Sequence, residues 1–207
     1  MAPRLTWRIM IQSESNYSDH VFKDLDLSAI QVSRTTFLDC TFQGCDLTET
    51  VFSHCRFVNC QFKDCNGSLF QVPGCSFSSC RFLGTRLVGV NWSQANWPDS
   101  EIGEPLEFQQ CSLNHSTFIG AKLGSVKIRR CEAINVDFRE ASLSEADFSF
   151  SDLRESLFQG TDLSKADFRY ARNYHIDPLH NKILKAKFSL PEALSLLYSM
   201  DIEIEEQ

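Results

Sequence analysis

Bulky apolar side chains recur at every fifth residue over most of this chain. An α-helix repeats its faces about every 3.6 residues and a strand about every two, so neither element sustains such a spacing. From Phe22 the series runs through Leu27, Val32, Phe37, Phe42, Leu47, Phe52, Phe57, Phe62, Gly67, Val72, Phe77, Phe82, Leu87, Trp92 and Trp97 to Ile102, and only Gly67 lacks a side chain that favours burial. One residue is inserted within EIGEPLEF (101–108), and the series resumes as Phe108, Leu113, Phe118, Leu123, Ile128, Ala133, Phe138, Leu143, Phe148, Leu153, Phe158, Leu163 and Phe168. Of these 30 positions 22 are Phe or Leu, and they hold 14 of the chain's 17 Phe, so one register decides where the aromatic mass goes.

Two residues before each centre lies a second column of mostly small side chains, such as Thr50, Ala121, Ala141, Ser151 and Ala166. All nine cysteines, at 40, 45, 55, 60, 65, 75, 80, 111 and 131, fall in it. Free cysteine behaves as a small hydrophobe with a weak donor, which favours packing over thiol chemistry. Burial at both positions, followed by two polar residues, fits a short extended segment and then a corner, repeated as a solenoid. Sorting the centres by every fourth repeat gathers Phe37, Phe57, Phe77, Trp97, Phe118, Phe138 and Phe158 into one column. A neighbouring column holds Phe22, Phe42, Phe62, Phe82, Ile102, Leu123, Leu143 and Leu163. Such uniformity predicts an all-β coil with four sides, stacking like on like. About seven and a half turns at a strand spacing of ~4.8 Å give a rod of roughly 36 Å.

A composition of 43% hydrophobic and 23% charged residues over 207 residues is that of one ordinary globular unit. The net charge of -7 disfavours nonspecific binding to nucleic acid or anionic lipid, both polyanions. Arg8 and Gln12 interrupt what would be the apolar core of a secretory signal, which places the chain in the cytoplasm, where thiols stay reduced. The C-x4-C steps are continued by Thr and Ala at equivalent positions and do not match zinc-ligand pairs. His54 and His115 fall at outward positions, and His20 in the small-residue column. His175 and His180 flank Asp177, either as a metal or catalytic pair or as a turn that satisfies its own hydrogen bonds. No phosphate loop, nucleophile elbow or distinct carboxylate pair is present, so no enzyme, no cofactor and no metal are expected.

Units such as ADFSF (146–150), SDLRE (151–155), TDLSK (161–165) and ADFRY (166–170) resemble the A(D/N)LXX repeat of the pentapeptide-repeat proteins. That resemblance implies a right-handed quadrilateral β-helix with Phe or Leu at the centre of each side. GVNWSQANWP (89–98), NYHIDPLHN (173–181) and FSLPEALSLLYSMDIEIE (188–205) resemble the bacterial subgroup that protects DNA gyrase from poisons, the Qnr-like quinolone-resistance proteins and the microcin- and albicidin-immunity proteins, with the immunity type the closer match. The subgroup implies a dimer joined through its C-terminal ends, a rod resembling B-DNA in shape and charge. A single inserted residue, in place of long projecting loops, departs from the Qnr-like pattern and puts a loop-based removal of drug in doubt.

The chain then divides into an N-terminal cap (1–20), repeats (21–172) and a C-terminal cap (173–207). Ser189 and Glu192 have capping-box spacing with Pro191 in the first turn, and Leu190, Ala193, Leu194, Leu197 and Tyr198 fall on one helical face. That helix covers the end of the solenoid, and the resemblance makes it a dimerisation surface as well. Asp99, Glu101, Glu104 and Glu107 concentrate acids at the insertion beside Trp92, Trp97 and Pro98, either a partner contact or a solvated corner. Asp24, Asp26, Asp46, Glu49, Asp137, Glu140, Asp147, Asp152, Glu155, Asp162 and Asp167 add a DNA-like potential, or are simply the corner-forming Asp of the repeat; KIRR (127–130) is a positive patch against the mimic. Two functions follow: a homodimeric binding protein for DNA gyrase, with topoisomerase IV as a second candidate target, or a rigid scaffold for another partner.

Overall fold

A computed structural model describes residues 11–97 and 105–205. The chain forms a four-sided parallel β-solenoid in which each short strand or bridge pairs with the segment one turn later, as in Phe22↔Phe42↔Phe62↔Phe82. This is the quadrilateral coil expected from the period. Side one stacks its rings at 4.7, 4.7 and 4.5 Å over that run, and a second side stacks Phe37, Phe57 and Phe77 at 4.9 and 5.0 Å. Nearly every centre is buried, as are all nine cysteines. Two residues beyond each centre the chain turns, and there the backbone takes positive φ, occupied by Asp, Asn, Ser, His, Glu and Gly among others. Short polar side chains tolerate that region best, which is why the outward half of each repeat is polar.

The insertion is longer than its phase suggests. Phe82 pairs with Phe108 and Asn91 with Thr117, each 26 positions on, where the regular turn takes 20. The single extra residue is therefore accompanied by a complete five-residue step that leaves the coil. A five-residue period cannot register the loss of a whole step, so the phase alone reads one where the register holds six. The correction moves the columns. Phe118 stacks on Trp92 (5.8 Å, 6°), so Phe118, Phe138 and Phe158 continue the column of Val32, Phe52 and Val72, while Leu143 and Leu163 follow on the side of Phe37, Phe57 and Phe77. Likewise Phe82 is followed by Phe108 and Ile128 in place of Ile102 and Leu123. Ile102 lies outside the described residues.

The ladder also outruns its sequence boundaries. Asn16–Ser18 pairs with Thr36–Leu38, with Tyr17 stacked on Phe37, so the coil starts before residue 21. At the other end Lys182 and Lys187 pair with Asp162 and Asp167, and Phe188 stacks on Phe168, so it continues past 172. Ala193 and Leu194 lie in a 3-10 turn (Glu192–Leu194) that runs into one helical turn (Ser195–Tyr198), a short capping helix. No capping box forms at its start. The Ser189 hydroxyl instead accepts from the Tyr170 N–H (2.8 Å), and the Glu192 carboxylate from the Asn173 N–H. Both side chains serve donors that the next turn of a longer coil would have taken.

The cysteine column has a hydrogen-bonding logic. The solenoid uses two kinds of corner. In one, the N–H three residues after the centre bonds the centre's carbonyl, as Ala141 does to Phe138 (3.2 Å) and Ala166 to Leu163 (3.0 Å). In the other the strand runs through the corner and that bond is missing. Each such centre from Tyr17 to Ile128, except Phe77 ahead of the insertion, instead receives a side-chain donor from the next turn. Cys60 donates to Phe37 (3.3 Å), Cys65 to Phe42 (3.5 Å), Cys75 to Phe52 (3.2 Å), Thr85 to Phe62 (3.0 Å) and Ser151 to Ile128 (2.7 Å). Alanine in this column lies over corners that close their own bond, as Ala141 over Phe118 and Ala166 over Leu143. A buried carbonyl must be paired, so the open corner demands Cys, Ser or Thr above it. Burial pushes the thiols of Cys40, Cys80 and Cys131 up, while a hydrogen bond with the cysteine of the next turn holds those of Cys45, Cys55, Cys60 and Cys111 down.

Candidate functional site

The interior is filled, so the site must be built from side chains that the repeat directs outward: those on either side of each centre and those at the corners. Among the described residues no group of three or more His, Cys, Asp or Glu could hold a metal. A cleft of about 430 Å3 beside the NYHIDPLHN segment is lined by Arg139, Glu155, His175, Asp177 and His180. Its polar groups answer one another: Asp177 accepts from His180 Nδ1 and from the Leu179 N–H (2.8 Å), and Asn181 Nδ2 donates to the Asp177 carbonyl (3.0 Å). These bonds are those of a turn that satisfies its own polar groups around Asp177 and His180; His175 is exposed and takes no part in them.

The acids fall into two populations. In the C-terminal half most are neutralised within the chain. Asp137 pairs with Arg139 (2.6 Å), Asp167 with Arg169 (2.6 Å), Asp152 with Arg154 and Arg172 (both 3.2 Å), and Asp162 with Lys182 (3.6 Å). The Arg139 and Arg169 guanidiniums hold the Asp137 and Asp167 carboxyls below the usual carboxylate range. At Asp152 burial pushes the other way and is outweighed by hydrogen bonds from Asn173 and Arg154. A sequence signal for this exists and was missed: in D-x-R the acid and the arginine flank one centre, so both point outward on the same side.

In the N-terminal half Glu14 pairs with Arg34 (3.1 Å), but several other acids form no ion pair among the described residues. Asp19, Asp24, Asp39, Glu49 and Asp64 sit at exposed corners with φ between 50° and 56°. Asp46 is exposed and accepts from Thr48 Oγ1 (2.6 Å) and the Thr48 N–H (3.0 Å), a corner-forming role that leaves its charge uncompensated. Among the described residues Asp24, Asp46 and Glu49 have no ion-pair partner.

The acidic cluster at the insertion does not hold together as read. Asp99, Glu101 and Glu104 lie outside the described residues. Glu107 lies in the strand Glu107–Gln109, nine-tenths buried as a side chain, between Arg81 (3.5 Å) and Arg129. Trp92 is fully buried, packed on Phe70, Phe82 and Phe108, and unable to meet a partner. Its NWSQANW segment is a short 3-10 turn (Trp92–Gln94) in which Trp97 Nε1 donates to the Trp92 carbonyl (2.9 Å). Trp92 faces inward because it occupies a centre, and Glu107, which precedes the centre Phe108, is covered by arginines of the turns on either side; a local reading of acids near tryptophans ignores both. KIRR is likewise divided: Ile128 is core, Arg129 reaches Glu107 and Asp147 (3.8 Å), and Arg130 covers the Phe150 ring at 4.5 Å.

At the C-terminal end the apolar residues are not all used by the cap. Leu190 is 77% and Tyr198 56% exposed, with Leu197 at 38%, while Ala193 and Leu194 are half-buried. Leu179, Leu184, Met200 and Ile202 add to the exposed set. No helix among the described residues is long and apolar enough to cross a membrane.

Comparison with known proteins gives the fold a lineage. Two trypsin-treated forms of QnrB1, described as a plasmid-mediated fluoroquinolone resistance protein, superpose with TM-scores of 0.69 and 0.65 at 14% and 17% identity, covering 94% of this chain and 99% and 93% of theirs. HetL, a pentapeptide-repeat protein involved in heterocyst differentiation regulation from the cyanobacterium Nostoc, superposes with a TM-score of 0.52 at 13% identity over 86% of each chain. No curated protein sequence matches significantly. The profile of the pentapeptide repeat region matches residues 35–105 and 104–168. With the five-residue period, the four-sided coil and that match over most of its length, the chain belongs to the pentapeptide-repeat family.

Proposed function

We propose that this chain is a non-enzymatic, DNA-mimicking binding protein that engages DNA gyrase, and by extension topoisomerase IV, and protects it from topoisomerase poisons. The observation that carries the reading is the set of exposed carboxylates in the N-terminal half, Asp24 and Glu49 at corners and Asp46 beside a centre, held on a rigid rod with no ion-pair partner among the described residues. Fixed, regularly spaced negative charge is what a cationic DNA-binding surface selects. The subgroup-like segments 89–98, 173–181 and 188–205 point to the same partner, and QnrB1's description as a resistance protein agrees with it. The open apolar residues Leu190, Leu197 and Tyr198 at the C-terminal end support a two-fold homodimer that doubles the rod.

A supercoiling assay with purified gyrase and a poison tests this. Rescue of supercoiling is expected, weakened by the Asp46→Lys and Glu49→Lys pair. No rescue at any ratio, together with no inhibition at high ratio, would refute it. HetL, a regulator on the same fold, favours the alternative of a scaffold for another protein; capture of a different partner on one flat side, with gyrase unaffected, would establish that reading instead.

A further inference from the structure

The last turns of the coil carry a cationic strip on an otherwise acidic protein. Lys127, Lys165, Lys185 and Lys187 line one groove of about 610 Å3 at the corner leading into side one. Three carboxylates share it, but each has a cation: Glu145 is paired with Lys165 (2.6 Å), Asp167 is chelated by Arg169 (2.6 Å), and Asp147 faces Arg129 (3.8 Å). Lys185 and Lys187, both exposed, have no ion-pair partner among the described residues.

The complementary charge lies on the same chain. After the helical turn, Asp201-Ile-Glu-Ile-Glu205 alternates acid and isoleucine. Residues 202–205 have no regular secondary structure, and Asp201, Glu203 and Glu205 are exposed with no ion-pair partner among the described residues. An extended segment of this pattern presents its acids on one edge and Ile202 and Ile204 on the other. A tail whose acids form no ion pair and a strip whose last two lysines, Lys185 and Lys187, form none among the described residues therefore sit at one end of the rod.

We infer that the acidic tail of a second copy docks along the Lys185–Lys187 strip, so that in a C-terminal two-fold assembly each protomer gives a tail and receives one. This rests on the dimer reading above and deepens it. The second copy's Asp201, Glu203 and Glu205 face Lys185 and Lys187, while its isoleucines cover the exposed Leu184 beside them. The contact is isologous and occurs twice, so it selects antiparallel, tail-to-tail pairing over side-by-side association.

Charge exchange between two versions of the full chain tests it. One carries Lys185→Glu and Lys187→Glu; the other carries Asp201→Lys, Glu203→Lys and Glu205→Lys. All five sites are exposed, and unchanged thermal unfolding checks that both proteins fold. By sedimentation equilibrium at low ionic strength, each variant alone should dissociate at least about tenfold more readily than the unmodified dimer, the effect of several exposed ion pairs lost twice over. Mixing the two should restore dimerisation to near the unmodified level, since both strips in the mixed dimer meet a tail of opposite charge. An unmodified dimer that persists while neither variant weakens it, or two weakened variants that mixing fails to rescue, overturns the inference and leaves the dimer standing. A monomeric unmodified chain removes the dimer reading itself, and this contact with it.

Discussion

Replacing Cys60 separates packing from hydrogen bonding in the cysteine column. Its Sγ is buried, donates to the Phe37 carbonyl at 3.3 Å, and lies over a corner that forms no bond of its own. Cys60→Ala removes one heavy atom from a close-packed column, costing about 1 kcal/mol in lost contact and residual cavity. It also strands a buried carbonyl, for about another 1 kcal/mol given the weakness of a thiol donor. The total of about 2 kcal/mol corresponds to a fall of roughly 4–8 °C in Tm for a chain of this size. Cys60→Ser keeps the donor, in the geometry that Ser151 uses toward Ile128 at 2.7 Å, and should lose about 1 kcal/mol or less. Equilibrium unfolding in guanidinium, compared at constant m, reads the difference. As a control, Ala141→Ser introduces a hydroxyl over Phe118, whose carbonyl already accepts from Ala121 (2.9 Å), and should give no comparable gain. Serine proving as costly as alanine at residue 60 would refute the donor argument and return the column to a requirement for volume alone.

Three further outcomes follow from the same geometry. Phe57→Ala, which empties a fully buried site stacked on Phe37 and Phe77 at 4.9 and 5.0 Å, should cost about 3–5 kcal/mol by chemical unfolding. The Asp137 and Asp167 carboxyls are lowered in the folded state by Arg139 and Arg169, so their stabilisation is full above the unfolded carboxylate range near about 3.9 and is lost as pH falls through the lower folded values. Stability should thus hold from neutral pH down to about 4 and decline below it, with Arg139→Gln and Arg169→Gln flattening that decline. Gly84→Ala brings a Cβ to 2.6 Å from Asp64 Oδ1 at φ +58°, whereas Gly120→Ala at φ +64° meets nothing within 4 Å. The first should be the more destabilising by thermal melt, with the gap closing in an Asp64→Ala background.

The fold was legible because a coil writes its own period into the chain. Every centre from Phe22 to Phe82 could be placed by counting, and the smallness of the second column by comparing Cys40, Thr50 and Ala141. What counting could not see was anything that preserves the count. A five-residue step lost with the extra residue leaves the phase unchanged, so the column of Phe118 was assigned to the wrong side. The candidate site was less legible for a related reason. Proximity in sequence grouped Trp92 and Glu107 with Asp99, Glu101 and Glu104, whereas position within the five-residue unit puts Trp92 in the core, and the arginines of neighbouring turns cover Glu107. Asp46 and Glu49 remained outside on that rule, and the Asp–Arg pairs of the C-terminal half needed the turn-to-turn register before their charges could be cancelled.

The donor that each open corner requires sits in the following turn, and this bears on how such a rod changes length. Excising one complete coil, such as residues 46–65, brings Thr85 over Phe42 in place of Cys65, and every remaining open carbonyl that had a hydroxyl or thiol above it keeps one. Excising a single five-residue unit rotates all later side chains by one side, so donors land on corners that do not want them and alanines on corners that do. Coils of this kind are therefore expected to grow and shrink in steps of a full circuit, and any other step must be expelled from the rod as a loop.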